Sequence, residues 1–283
     1  MKALGMALAL LAAPATAQHA GHSMPAPPPP AADVPGLETP PPPEAGSGPP
    51  SAADAIWGAQ AMRPSRAALK AEGGDMTRFW FMADRAELRI NGDATGYLWD
   101  VQGYWGGDTD QLWLKSEGEG GFGEAIDDAE IQALYSRAIA PFFDLQLGMR
   151  RDLAPFGRNH AVLGIQGLAR YRFEVDAALF LSDRGALTAR IEAELDQRLT
   201  QRLIVQPRAE IGLAAQDIPE FGIGAGIDTI SLGVRLRYEI VRKFAPYIGV
   251  EQDWRIGGSA GYARAQGTPV GITNFVVGVR LWF

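Results

Sequence analysis

The chain has 283 residues, no cysteine, and 26 basic against 33 acidic residues, for a formal net charge of −7. That length supports one sizeable ordered domain, the missing cysteine excludes a disulfide-stapled scaffold, and the acidic balance argues against nucleic acid, whose phosphates need clustered Lys and Arg. No stretch offers the eighteen or more consecutive apolar residues of a membrane helix, so a helical bundle is excluded as well.

In chain order, the first element is an export signal. Lys2 precedes an Ala/Leu run from Ala3 to Ala13, and Ala15-Thr16-Ala17 has the small-x-small form of a signal peptidase site, so the mature chain is expected to begin at Gln18. The run is about eleven residues, while a spanning helix needs about twenty, so it is read as a signal and not an anchor. Residues 18–75 follow as an expected disordered Pro-rich tail and linker. Between Pro25 and Pro50, twelve of 26 residues are proline, a composition that cannot bury enough apolar surface to offset ordering entropy and favours an extended spacer. From Ser51 to Asp75 the composition is mixed, without a sustained period.

From about Met76 onward apolar and polar residues alternate, the period of strands that face two different media. In Ala186–Asp196, Leu187, Ala189, Ile191, Ala193 and Leu195 share one face, and Thr188, Arg190, Glu192, Glu194 and Asp196 share the other. The pattern predicts strands at 80–90, 96–105, 110–120, 128–139, 142–151, 159–169, 171–181, 187–197, 202–213, 229–240, 246–256 and 272–283. Each is about ten residues, the length that crosses a bilayer at barrel tilt. The predicted fold is all-β: a transmembrane outer-membrane antiparallel β-barrel of about twelve strands over 76–283, with both ends of the barrel chain on one side. Connections at Ala140-Pro141, at Arg170 and near Lys243 to Ala245 are short, while 214–228 and 257–271 are long and Gly-rich, which predicts alternating short turns and long loops. Pro207 falls mid-strand and suggests a bulge. Tyr97, Trp99, Trp105, Tyr238, Tyr247, Trp254 and Trp282 fall near strand ends, where aromatic girdles belong. The final run places Phe275, Val277, Val279, Leu281 and Phe283 on one face and resembles the recognition strand of outer-membrane barrels, which implies the barrel assembly machinery and outer-membrane lipid as partners.

Five runs carry a more specific likeness: Trp105–Glu119 (WGGDTDQLWLKSEGE), Leu134–Gln146 (LYSRAIAPFFDLQ), Gln201–Glu210 (QRLIVQPRAE), Leu236–Glu251 (LRYEIVRKFAPYIGVE) and Val277–Phe283 (VGVRLWF). Together they resemble the copper-resistance protein B family across nearly the whole barrel. The resemblance implies an outer-membrane barrel acting in copper tolerance beside a periplasmic multicopper oxidase, with copper ion, Cu(I) or Cu(II), as the bound species. It also implies a Met/His-rich segment ahead of the barrel. This chain departs from that feature, since its tail holds only His19, His22 and Met24.

Those three residues combine imidazole, which suits Cu(II), with a thioether, which suits Cu(I), and they are the candidate metal ligands of the tail. On the polar faces of the strands lie Glu87, Lys115, Glu117, Glu119, Glu130, Asp144, Arg150, Glu174, Asp176, Arg190, Glu192, Glu194, Arg208, Glu210, Arg235, Arg237, Glu239, Glu251 and Arg280. A barrel of about twelve strands is narrower than the sixteen-stranded porins, so these charges are expected to pair and fill much of the lumen. Glu117, Glu192 and Glu194 are the candidates for a carboxylate-lined cation path. A general small-solute porin or structural barrel is the alternative. Catalysis is not expected: His160 is the one histidine beyond the tail, and Ser136, Ser182 and Ser231 are not placed beside it.

Overall fold

The structure is a computed structural model that describes residues 53–74, 76–92 and 94–283. The expected signal peptide, the Pro-rich stretch and the tail candidates His19, His22 and Met24 lie outside the described residues.

Where the sequence suggests an unstructured linker, two short helices form. They are α1 (Ala53–Trp57) and α2 (Ala59–Leu69), which continues into a π-helical turn over Lys70–Gly74. Repeated alanines supply the best intrinsic helix propensity, and this outweighs the Pro64 that sits inside α2. Gly58 makes the corner between the helices at φ +83°, and Arg66 ties them with a 2.5 Å ion pair to Asp54.

The second unit is a single antiparallel sheet closed on itself. Its strands are β1 (Arg78–Asn91), β2 (Ala94–Gly106), β3 (Asp110–Gly121), β4 (Ile126–Ala140), β5 (Phe143–Ala154), β6 (Arg158–Leu168), β7 (Phe173–Ser182) and β8 (Leu187–Leu195). The two-residue β9 (Gln197–Arg198), β10 (Leu203–Ala214), β11 (Gly226–Tyr238), β12 (Phe244–Arg255) and β13 (Gly271–Trp282) complete it. Each strand pairs with its sequence neighbour, except that β8 and β9 both pair with β10, and β1 pairs with β13, which closes the ring. Because β9 prolongs β8, thirteen segments make a barrel of twelve staves, as the alternation predicts. The ladder runs to the last residue: Phe81 and Phe283 exchange two backbone hydrogen bonds of 3.0 Å, with their rings 5.2 Å apart.

Two details of the strands and their connections differ from the sequence reading. Pro207 makes no bulge in β10; it pairs with Val234 in a register that runs unbroken from Leu203 to Gly212 and shifts only between Gly212 and Leu213. The interruption falls on the neighbouring stave instead, between Arg208↔Glu194 and Val205↔Gln197, where β8 gives way to β9. A proline cannot donate to the ladder, so the gap opens beside it. The loop asymmetry is also narrower than expected. On the rim opposite Arg78 and Trp282, only 215–225 and 256–270 are long; 122–125, 155–157 and 183–186 are as short as the turns of the near rim.

The two faces of the sheet separate as their period demands. Leu147, Met149, Leu163, Leu179, Leu181, Ile191, Leu232, Val234, Ile248, Phe275 and Val277 are exposed outward, part of an apolar band that continues around the barrel. Contiguous apolar patches on water-soluble monomers reach only roughly 300–600 Å², so this surface is built for hydrocarbon. Trp99 packs against Gly118, where a Cβ would sit 2.3 Å from its ring, and Tyr97 stacks on Trp99 at 6.1 Å. Of the expected girdle residues, Tyr247 departs: it points inward, is buried, and donates to Glu87 at 3.0 Å.

Candidate functional site

The lumen contains what the outer face lacks. A β-bulge in β1, between Ala83 and Arg85, breaks the alternation so that consecutive Asp84 and Arg85 both serve the interior. Arg85 then meets Asp100 at 3.0 Å and Glu117 at 2.6 Å. Arg190, from β8 across the barrel, takes the other oxygen of Glu117 at 2.9 Å and Glu130 at 3.0 Å. Arg208 forks onto Glu192 at 2.5 and 2.7 Å and reaches Glu210 at 2.6 Å. Arg235 lies between Glu87 at 2.6 Å and Glu251 at 2.7 Å, and these three side chains are at most 2 % exposed. Arg89 joins the set through Glu251 and through Glu119 at 2.8 Å. Forked guanidinium–carboxylate pairs of this kind are the strong, directional form of the ion pair.

This belt splits the lumen into two chambers. The far chamber, about 610 Å³, is lined by Glu119, Asp127, Asp128, Asp228 and Asp253, among others. The near chamber, about 340 Å³, has an apolar wall of Met82, Leu134, Val162 and Phe180 and a polar wall of Asp84, Glu174, Asp176, Glu192 and Glu194. Glu117, Phe180 and Arg190 line both and form the septum between them. Arg150 and Arg190 lie over the Phe180 ring at 4.9 and 5.8 Å, so the aromatic face is part of the same charge network. Toward the near rim, Trp80, Tyr104 and Trp113 stack at 5.1 to 5.9 Å against the apolar wall.

The sequence candidates therefore occupy different situations. Glu117 is held between two arginines and Glu192 is forked by one, whereas Glu194 makes no hydrogen bond among the described residues and has only Arg280 Nη1 at 4.0 Å. Glu239 is not in the lumen; it pairs with Arg198 at the near rim at 3.0 Å. Asp84, Arg85, Arg89, Asp100 and Asp152 escape the sequence reading. The bulge hides Asp84 alone and Asp152 lies just past the predicted end of its strand, whereas Arg85 and Arg89 share the parity of Glu87 and alternation could have found them. Among the described residues, no three His, Cys, Asp or Glu side chains close on a point as a ready metal site.

His160 accompanies this network. Its Nε2 is 2.9 Å from Asp152, which Arg150 also grips at 2.6 Å, and its Nδ1 is buried without a partner. Contrary to the sequence reading, Ser182 is brought beside it as its cross-strand register partner. The Ser182 hydroxyl accepts from the backbone N–H of Arg184 and Ala186 at 3.3 and 2.9 Å, and makes no hydrogen bond to the imidazole.

The far-rim loops are clipped to each other. A Cβ on Gly224 would lie 2.4 Å from the backbone of Gly258, so these two glycines let loop 215–225 touch the helix α3 (Gly257–Ala265). Gly224 N–H donates to Ser259 Oγ at 2.8 Å, and that hydroxyl donates to Asp228. Glu220 accepts from Arg158 and from Arg184, the latter at 3.4 Å; the Arg158 hydrogen bond holds the Glu220 carboxyl below the usual carboxylate range.

A closed antiparallel barrel with a lipid-compatible exterior and a lumen divided by ion pairs defines a small transmembrane barrel of the bacterial outer-membrane type. The family model described as "Copper resistance protein B precursor (CopB)" matches residues 77–283. The chain is 40% identical over 205 residues to the copper resistance protein B homolog of Pseudomonas syringae pv. tomato, covering 72% of this chain and 69% of that protein. It is 41% identical over 203 residues to copper resistance protein B of Escherichia coli, covering 71% and 68%. The chain belongs to the copper resistance protein B family. Solved structures of the porins KdgM and NanC align with TM-scores of 0.45 and 0.46 at 14% and 11% identity, covering 72% and 71% of this chain and 99% and 98% of theirs.

Proposed function

We propose that this protein sits in the outer membrane, binds copper ions, and moves or sequesters them there in the service of copper resistance. Family membership across residues 77–283 carries the reading. The lumen chemistry supports it: a carboxylate-rich far chamber concentrates small cations by focusing the field, and the septum is too crowded for a bulky solute. In this reading the near rim faces the periplasm, the end at which a multicopper oxidase could dock. His19, His22 and Met24 capture copper ahead of the barrel, with imidazole and thioether donors within six residues. Hard carboxylate oxygens in the lumen hold copper weakly enough to release it. The reading needs no catalytic step.

Metal analysis of the purified mature protein tests it. After incubation with copper and zinc, the full chain should retain copper in preference to zinc, and a chain lacking residues 18–75 should retain less copper while still forming a heat-modifiable barrel. Equal retention of both metals, or of neither, would favour the general-porin alternative.

A further inference from the structure

We propose a second copper station inside the barrel, formed by Met82, Asp84 and Glu194 around Arg280 in the near chamber, and selective for Cu(I). The inference rests on the copper reading above and specifies its ion and one stop on its route. Arg280, on β13, is the cation at the centre of an excess of donors. Its Nη2 donates to the Met82 thioether at 3.4 Å, its Nε lies 2.8 Å from Asp84, and its Nη1 is 4.0 Å from both Glu194 and Asp196. Asp196 is also held by Arg237. Arg280 Nη1 is buried and forms no hydrogen bond, and Asp84 Oδ1, the oxygen ion-paired to Arg280 Nε, has no other partner.

The neighbouring strand adds to the imbalance. Glu194 stands directly opposite Glu174 in the β7–β8 register, and neither makes a hydrogen bond among the described residues. Like charges directly opposite on adjacent strands repel, and Glu194 is only 8 % exposed, so water cannot screen it well. The next inward pair, Asp176↔Glu192, is relieved by Lys115 at 2.5 Å and by Arg208. Glu174↔Glu194 has weaker relief, since Arg280 comes no nearer to Glu194 than 4.0 Å and the Arg208 opposite it is committed to Glu192 and Glu210, and both glutamates line the near chamber with Met82.

Met82 selects the ion. It is 7 % exposed and lies two residues before Asp84, which the β1 bulge turns toward the same interior. A leucine would fill the same volume; what the thioether adds is a soft lone pair, which distinguishes Cu(I) from Zn(II) and from alkali ions. The donors surround a guanidinium and not a void, so the ion enters by displacing Arg280. The displaced side chain keeps Asp196 as a partner on the same side, which makes the exchange reversible.

The test uses the full chain with His19→Ala, His22→Ala and Met24→Leu, reconstituted in detergent and loaded with Cu(I) from its acetonitrile complex or with Zn(II). One Cu(I) per barrel should remain, with sulfur among its neighbours by X-ray absorption. Adding Met82→Leu should weaken Cu(I) retention at least tenfold and remove the sulfur signal, with Zn(II) retention unchanged; Glu194→Gln should weaken both metals. If Met82→Leu fails to migrate as a folded barrel, the sulfur signal of the tail-replaced parent decides, and its absence overturns the station. Unchanged Cu(I) retention in a folded Met82→Leu barrel also overturns it, leaving Met82 a packing residue. If the chain with its tail intact retains no Cu(I) at all, the copper reading itself fails.

Discussion

The lumen belt and the far-rim clip use the same chemistry, arginine against carboxylate, in opposite surroundings. Arg235, Glu87 and Glu251 are at most 2 % exposed, whereas Glu220 and Arg184 are 46 % and 71 % exposed. In water such a pair contributes little, because solvent screens it and two long side chains lose freedom. In the lumen the charges are already desolvated, so the pair matters chiefly because removing one partner strands the other. Charge pairing thus holds the shape of the lumen and only trims the loops.

The largest expected effect follows from breaking the buried side of that contrast. Arg235→Leu leaves Glu87 and Glu251 without their shared cation and should lower barrel stability by about 3–5 kcal/mol in a urea titration in detergent. Adding Glu87→Gln and Glu251→Gln should recover part of the loss. An unfolding midpoint unmoved by Arg235→Leu would mean that the belt is already hydrated, and the contrast would collapse.

A smaller effect should come from the contact between the far-rim loops. Gly224→Ala pushes a methyl group into the Gly258 backbone, an overpacking that typically costs about 1–3 kcal/mol, borne here by loops 215–225 and 256–270. Limited proteolysis should cut these loops faster while the heat-modifiable band stays intact. Protection equal to that of the parent would show the two loops to be independent.

The smallest effect concerns Glu220. Its carboxyl is held below the ordinary value near 4.3, so its bond to Arg158 contributes fully above that value and is lost as pH falls through the depressed one. An NMR titration of the Arg158 Nε–H should be flat from neutral pH to about 5 and move only below the ordinary carboxylate range. In Glu220→Gln the signal should be shifted at every pH and should not titrate. A midpoint at or above the ordinary value would contradict the assigned pair.

Most of the barrel was legible because alternation is a local property. Leu187 to Asp196 declares a two-faced strand without reference to any neighbour, and such segments fixed the stave count and which residues face inward. The helices over 53–69 were hidden because Gly58 and Pro64 look like breakers in a segment too short to show a period.

The number of staves, the lipid-facing set and the family resemblance are all written in local residue order, since each depends on one segment or on runs of like residues. Which charges meet is a property of the closed barrel. Arg190 finds Glu117 and Glu130 across the lumen, 73 and 60 residues away, and Arg235 finds Glu87 at a separation of 148. Alternation says that a side chain points inward but not how far around the barrel its partner stands. That depends on register and closure, which place Ser182 beside His160 and leave Glu194 facing Glu174 with Arg280 no nearer than 4.0 Å.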